Sequence, residues 1–293
     1  MYSTGTKGDL NVCTLNLNGF ESYKLPPIIG FMISESIDVM CLQDTRIADH
    51  DKAHICRTAV ERLGPGAQCF FSNCIPQSDE AFPNPDDLSQ ADPSAPSHPI
   101  SRSTPRRPKV GGQLIIVNSL WSRYTMDNLK DPTQLGILAG TYINLPDTRL
   151  LIAGVYWSCP AQATVPSTSD ALWRRLQSFL ARKGHHCLDP LHYIQSILMR
   201  IVSTHLSTPG NAVILADDFN STWHDHSASH AALSTWATAG MWRNGLADAH
   251  LDSSAICTFW SNADRPTSWI DHVLHHASSP FQFVGGGLSE GPL

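Results

Sequence analysis

The 293-residue chain is 42% hydrophobic, enough to bury a large core as one domain rather than two small ones, and it carries a formal net charge of -6. That balance excludes a protein that coats nucleic acid through bulk positive charge, so any phosphate contact must be local. Eight cysteines without a CxxC pair, no signal peptide and no apolar run of about 20 residues point to an intracellular protein, nuclear or cytoplasmic, with reduced thiols and no membrane span.

The β-prone segment 10–16 ends at Asn18-Gly19, where glycine permits a tight turn, and predicts a first strand that delivers polar groups at its tip. A helix is expected over 24–34, and the apolar run Ile37 to Leu42 predicts a buried strand ending in Gln43 and Asp44. A second helix over 52–63 is stopped by Gly64-Pro65-Gly66, and a strand follows near 68–73. Between 75 and 110 the composition shifts to Pro, Ser and Asp, then to Arg102, Arg106, Arg107 and Lys109, which reads as a mobile insertion with a solvated basic end.

Strands are expected at 111–117, 136–144 and 150–156, the three pairing as neighbours. Leu172, Leu176, Phe179 and Leu180, then Leu191, Ile194, Ile197, Leu198 and Ile201, recur at helical spacing and predict two amphipathic helices. The apolar strand 212–215 ends in an acidic turn, Ala216-Asp217-Asp218-Phe219-Asn220. A helix over 230–238 and short β-prone pieces at 257–260 and 269–274 complete the alternation, which suggests α/β layers with mixed strand pairing.

Three apolar strands therefore end in carboxylates or amides: Asn16 and Asn18, Gln43 and Asp44, and Asp217, Asp218 and Asn220. Taken singly, such residues cap strands and form turns. Together they are the hard oxygen ligands that Mg²⁺ takes beside phosphate. The histidines at 185, 186 and 192 with Cys187, and those at 224, 226 and 230, have no zinc-motif spacing and read as surface and capping residues.

In order along the chain, Leu15-Asn16-Leu17-Asn18-Gly19, Asp38 to Thr45, Gly111-Gly112, Val155-Tyr156, Asp217-Asp218-Phe219-Asn220, Thr258-Phe259-Trp260-Ser261 and Ile270-Asp271-His272 resemble the endonuclease/exonuclease/phosphatase superfamily. Their form is most similar to the endonuclease domains of non-LTR retrotransposons. The resemblance implies a four-layered α/β sandwich of two packed mixed sheets flanked by helices, deoxyribonuclease I-like, spanning 1–293 as a single domain. It implies a phosphodiester hydrolase that nicks DNA with Mg²⁺, Mn²⁺ substituting, and that is joined to a downstream reverse transcriptase.

Residue by residue, the resemblance makes Asp44 and Asn16 metal ligands, Asp218 the carboxylate that readies water, and Asn220 and Tyr156 phosphate contacts. It makes Asp271 a support for the site through a hydrogen bond, and Asn18 and Trp260 substrate contacts. Asp44 departs from the family glutamate and is shorter by one methylene. Asp217 replaces the usual glycine, and Trp269 an arginine. The family ends on a Ser-Asp-His segment that is absent here, so the resemblance also implies C-terminal truncation and admits an incomplete, inactive domain. A phosphatase or phosphodiesterase acting on a smaller substrate is the remaining alternative, since one fold hosts both chemistries.

Overall fold

The structure is a computed structural model that describes residues 9–73, 75–76, 109–157, 168–186, 188–219, 231–245, 259–260, 266–268 and 271–279. The chain opens with β1 (Val12–Asn16), a 3₁₀ turn over 22–24 and α1 (Leu25–Ser34). Prolines at 26 and 27 fall in the first turn of α1, where backbone N–H groups have no helical acceptor to lose, and Leu25, Ile28, Ile29 and Met32 bury one face. β2 (Val39–Gln43) is buried along its whole length. α2 (Asp49–Leu63) starts on Asp49 and Asp51, which suit the positive end of the helix dipole, and stops at Gly64.

β3 (Gln68–Ser72), β4 (Ile75–Pro76), β5 (Lys109–Val110), β6 (Gln113–Val117), α3 (Ser119–Ser122), β7 (Thr125–Leu129), β8 (Leu138–Leu145) and β9 (Thr148–Val155) follow. The second half contains α4 (Thr168–Arg182), α5 (Pro190–Leu206), β10 (Ala212–Asp218), α6 (Ala231–Ala239), β11 (Trp242–Asn244), β12 (Phe259–Trp260), β13 (Pro266–Ser268) and β14 (Asp271–His276). The Asp189 side chain caps α5 by accepting the N–H groups of Leu191 and His192. Residues 77–108, which carry most of the expected mobile insertion, lie outside the described residues.

Two mixed sheets form the centre. One has four strands in the order β1-β2-β6-β3, the other six in the order β11-β14-β10-β9-β8-β7. β1 runs parallel to β2 and β10 parallel to β9, while the other pairs in these two sheets are antiparallel. Val39, Cys41, Ile115 and Val117 of the smaller sheet meet Ala139, Ile143, Leu150, Ile152, Ala212 and Ala216 of the larger one in a single core layer. The outer face of the smaller sheet is sealed by Ile28, Ile29 and Met32 of α1 and Ile55 and Ala59 of α2. Leu172 and Leu176 of α4, Ile194 and Leu198 of α5 and Leu233 of α6 seal the outer face of the larger. The architecture is thus helix, sheet, sheet, helix, as expected for the deoxyribonuclease I-like sandwich.

Two expectations need correction. The strand at 113–117 does not neighbour β8 and β9 in a sheet: it hydrogen-bonds between β2 and β3, and it faces β8 and β9 only across the inter-sheet core. The acidic turn begins later than expected, because β10 continues through Asp217 and Asp218, whose backbones pair with His272 and Asp271 of β14. A ladder partner overrides the weak strand preference of aspartate. The elements not anticipated include α3, β7, β11 and β13, and β4 and β5, which pair at the two ends of the expected mobile insertion.

Candidate active site at the strand ends

Parallel pairing places Asn16, the last residue of β1, beside Gln43, the last of β2. The Gln43 side chain joins the two sheets, its Nε2 donating to Thr14 Oγ1 at 2.7 Å and to the Ala216 carbonyl at 3.2 Å. Asp218 follows two residues beyond Ala216, in register with Asp271. The sequence-predicted groups on β1, the loop after β2, β10 and β14 therefore gather at one edge of the sandwich.

At this edge the loop after β2 is held from two sides. Gly19 and Phe20 donate backbone N–H groups to the carbonyls of Asp44 and Thr45, while Thr45 and Arg46 donate theirs to Gly112 and Gly111. Asp44 and Arg46 both adopt left-handed backbone, with φ of 44° and 51°. That conformation is unfavourable for a bulky residue and persists only where surrounding bonds impose it. Its result is to bring two side chains, two residues apart, together.

Asp44 is 3% exposed. Its Oδ1 accepts Arg46 Nε at 3.1 Å and the Gly111 N–H at 3.2 Å, and its Oδ2 accepts Arg46 Nη2 in a short ion pair. The same Nη2 donates to Asn18 Oδ1 at 2.8 Å, and Asn16 Oδ1 accepts the Asn18 N–H at 2.9 Å. Burial pushes the Asp44 carboxyl above its usual value, against the pull of the Arg46 guanidinium and the Gly111 N–H. Arg46 is the principal group that sequence reasoning missed. Its only signal was its place two residues after Asp44, and the left-handed turns that make this spacing a contact are invisible in sequence.

The same end holds three buried acceptors without a partner: Gln43 Oε1, Thr45 Oγ1 and Gln113 Oε1. All three residues are at most 1% exposed. Gln113 Oε1 is seated so close to Gly154 that a side chain there would collide with it.

On the far side of β10, Phe219 and His272 are fully buried with ring centres 5.9 Å apart. Asn244 Nδ2 donates to His272 Nδ1 at 3.0 Å. Trp157 packs on Phe219 and Trp236, and Trp236 stacks on Trp242, so an aromatic wall supports the end of β10. Tyr156 sits one residue past β9, 4% exposed within the core that α4, α5 and α6 cover, and its N–H donates to Ile137. Trp260 lies in β12, which pairs with β13 in a separate two-stranded sheet, and Asn220 lies outside the described residues.

The divalent ion that the resemblance implies does not fit the Asp44 end as it stands. Each Asp44 oxygen accepts from Arg46, and the Asn16 and Asn18 oxygens accept N–H groups of the chain. A cation entering beside the guanidinium would meet repulsion on the order of 4 kcal/mol for each pair of unit charges about 4 Å apart at an effective dielectric near 20. Among the described residues, no three His, Cys, Asp or Glu side chains come together in a metal-binding group.

No protein-family model matches the sequence, and no curated protein does. Solved structures share the architecture. An AP endonuclease from Leishmania major aligns with a TM-score of 0.60 at 14% identity over 92% of this chain and 79% of its own. A 3′ phosphatase from Neisseria bound to product DNA hairpin aligns at 0.56 and 14% over 92% and 88%. An AP endonuclease from Archaeoglobus fulgidus gives 0.54 and 14% over 91% and 86%. The chain has the deoxyribonuclease I-like fold. In this deoxyribonuclease I-like frame, the edge that gathers Asn16, Asp44 and the end of β10 is the candidate active site. No helix among the described residues is long and apolar enough to cross a membrane.

Proposed function

We propose that the chain hydrolyses phosphodiesters in DNA, as the nicking domain of a non-LTR retrotransposon polyprotein that also carries a reverse transcriptase. The observation that supports this reading is the gathering of the motif residues from four separate segments at one strand edge, tied together by Gln43. The ordered motif set supports the retrotransposon assignment, and DNA-processing neighbours of the same fold support the substrate class.

In this reading Asp218 orients and deprotonates the attacking water, Asp271 steadies it from the adjacent strand, and Asn220 and Tyr156 contact the phosphate. Asn16, Asn18 and Trp260 border the substrate. Arg46 supplies positive charge beside the phosphate, where preorganised donors are most effective. Mg²⁺, with Mn²⁺ as substitute, belongs to the same reading, while the Asp44 oxygens stay engaged by Arg46.

A phosphomonoester of small size is the second substrate class, favoured by the net charge of -6, which disfavours long polyanions. Supercoiled plasmid and p-nitrophenyl phosphate, each offered with Mg²⁺ and with Mn²⁺, separate the two. Relaxation of plasmid with no release of p-nitrophenol is the expected result, and the reverse pattern would replace the DNA reading with the small-substrate one.

A further inference from the structure

We infer that the resident cation at the Asp44 end of the site is the Arg46 guanidinium, which takes the place of a divalent metal there. The inference rests on the reading of this edge as the active site, and its core is geometric.

Four oxygens, on three residues that the resemblance assigns to metal or substrate, are each bound by a donor of the chain itself. Asp44 receives Arg46 on both carboxylate oxygens, Asn18 Oδ1 receives the same Nη2, and Asn16 Oδ1 receives the Asn18 N–H. One planar guanidinium thus bridges a carboxylate and an amide, the fork geometry for which arginine is suited and an ammonium is not.

The arrangement is also built from below. Left-handed backbone at both Asp44 and Arg46 costs conformational energy, and backbone bonds to Gly19, Gly111 and Gly112 hold it in place. A loosely tethered surface arginine needs no such scaffold. The side chains of Asp44 and Arg46 are 4% and 22% exposed, so the pair is sealed on the carboxylate side and reaches solvent only through the guanidinium. Removing Arg46 would leave a buried carboxylate with the Gly111 N–H as its remaining donor in the loop and an open place for a cation.

The test is Mn²⁺ binding to the full chain, followed by electron paramagnetic resonance of free Mn²⁺, for the wild type, Asp44→Asn, Arg46→Met and the double variant. Asp44→Asn keeps the shape and one acceptor. It should leave the Mn²⁺ affinity within about two-fold of wild type, whereas loss of a true ligand costs about ten-fold or more. Arg46→Met should tighten binding by about ten-fold or more, and adding Asp44→Asn should remove the gain.

A ten-fold or greater loss in Asp44→Asn, or no gain in folded Arg46→Met, overturns the inference. If circular dichroism shows Arg46→Met unfolded, Asp44→Asn alone decides. Plasmid nicking is read separately on the same samples. Its absence in the wild type would sink the hydrolase reading and leave the Mn²⁺ result at Arg46 unaffected.

Discussion

The loop after β2 and the end of β10 both bring an aspartate to the same edge of the sandwich, and they do so in opposite ways. In the loop, strained backbone delivers Asp44 into a closed ion pair with Arg46, so the charge is compensated within the chain. In β10 regular ladder pairing sets position 218 opposite position 271, two acidic residues directly across an antiparallel pair. The loop carboxylate is engaged by the chain itself, while the strand holds its aspartates through backbone pairing with β14.

Four perturbations probe this contrast, from the strongest to the weakest. Gly136 has φ of 73°, and a Cβ there would overlap the Asn73 carbonyl and the backbone N of Gly112, whose carbonyl holds the loop through Thr45. Gly136→Ala should cost about 4 kcal/mol or more in chemical denaturation. A near-normal midpoint would show that the loop is not held as rigidly as described.

Arg46→Met should cost about 3 kcal/mol by stranding a buried carboxylate, with much of the loss regained on adding Mn²⁺. A stable variant indifferent to Mn²⁺ would mean that the pair is ornamental. Gln43→Leu removes the amide that links Thr14 to Ala216 and should cost about 1–3 kcal/mol while lowering nicking. Lost stability with unchanged nicking would uncouple the two sheets from the chemistry.

The smallest effect is in pH dependence. Burial lowers the pKa of His205, whose Nε2 donates to the carbonyls of Arg149 and Ala212, and burial likewise lowers that of His276. The unfolded state therefore binds protons first. Stability from these residues is present above the unfolded value near 6.5 and is lost as pH falls through the folded values. Asp38 and Asp44, raised by burial, act with the opposite sign and lose stability as pH rises from 3.8 through their folded values. Melting temperature should thus fall between pH 7.5 and pH 5.5, less so in His205→Gln, and an equal fall in that variant would acquit His205.

Most strands and helices were legible in the sequence because their signals are local: the unbroken apolar run of β2, the helical spacing of Leu172 to Leu180, the prolines that open α1. Sheet membership was not. β6 reads like β8 and β9, and only pairing with residues more than 40 positions away decides that it joins the smaller sheet. Asp217 and Asp218 were read as turn because aspartate disfavours strands, whereas their ladder partners come from β14, at the other end of the described chain. The strand-end residues of the candidate site were visible as motifs. Arg46 was not, since a contact two residues apart depends on backbone angles that no spacing reveals.

Asp218 carries the central claim. Supercoiled plasmid relaxation with Mg²⁺ by the wild type and by Asp218→Asn, with both melting temperatures, is the most direct test. Loss of nicking by about 100-fold or more with a melting temperature that does not fall is the predicted result. Wild-type nicking by Asp218→Asn would contradict the assignment of the β10 edge as the active site.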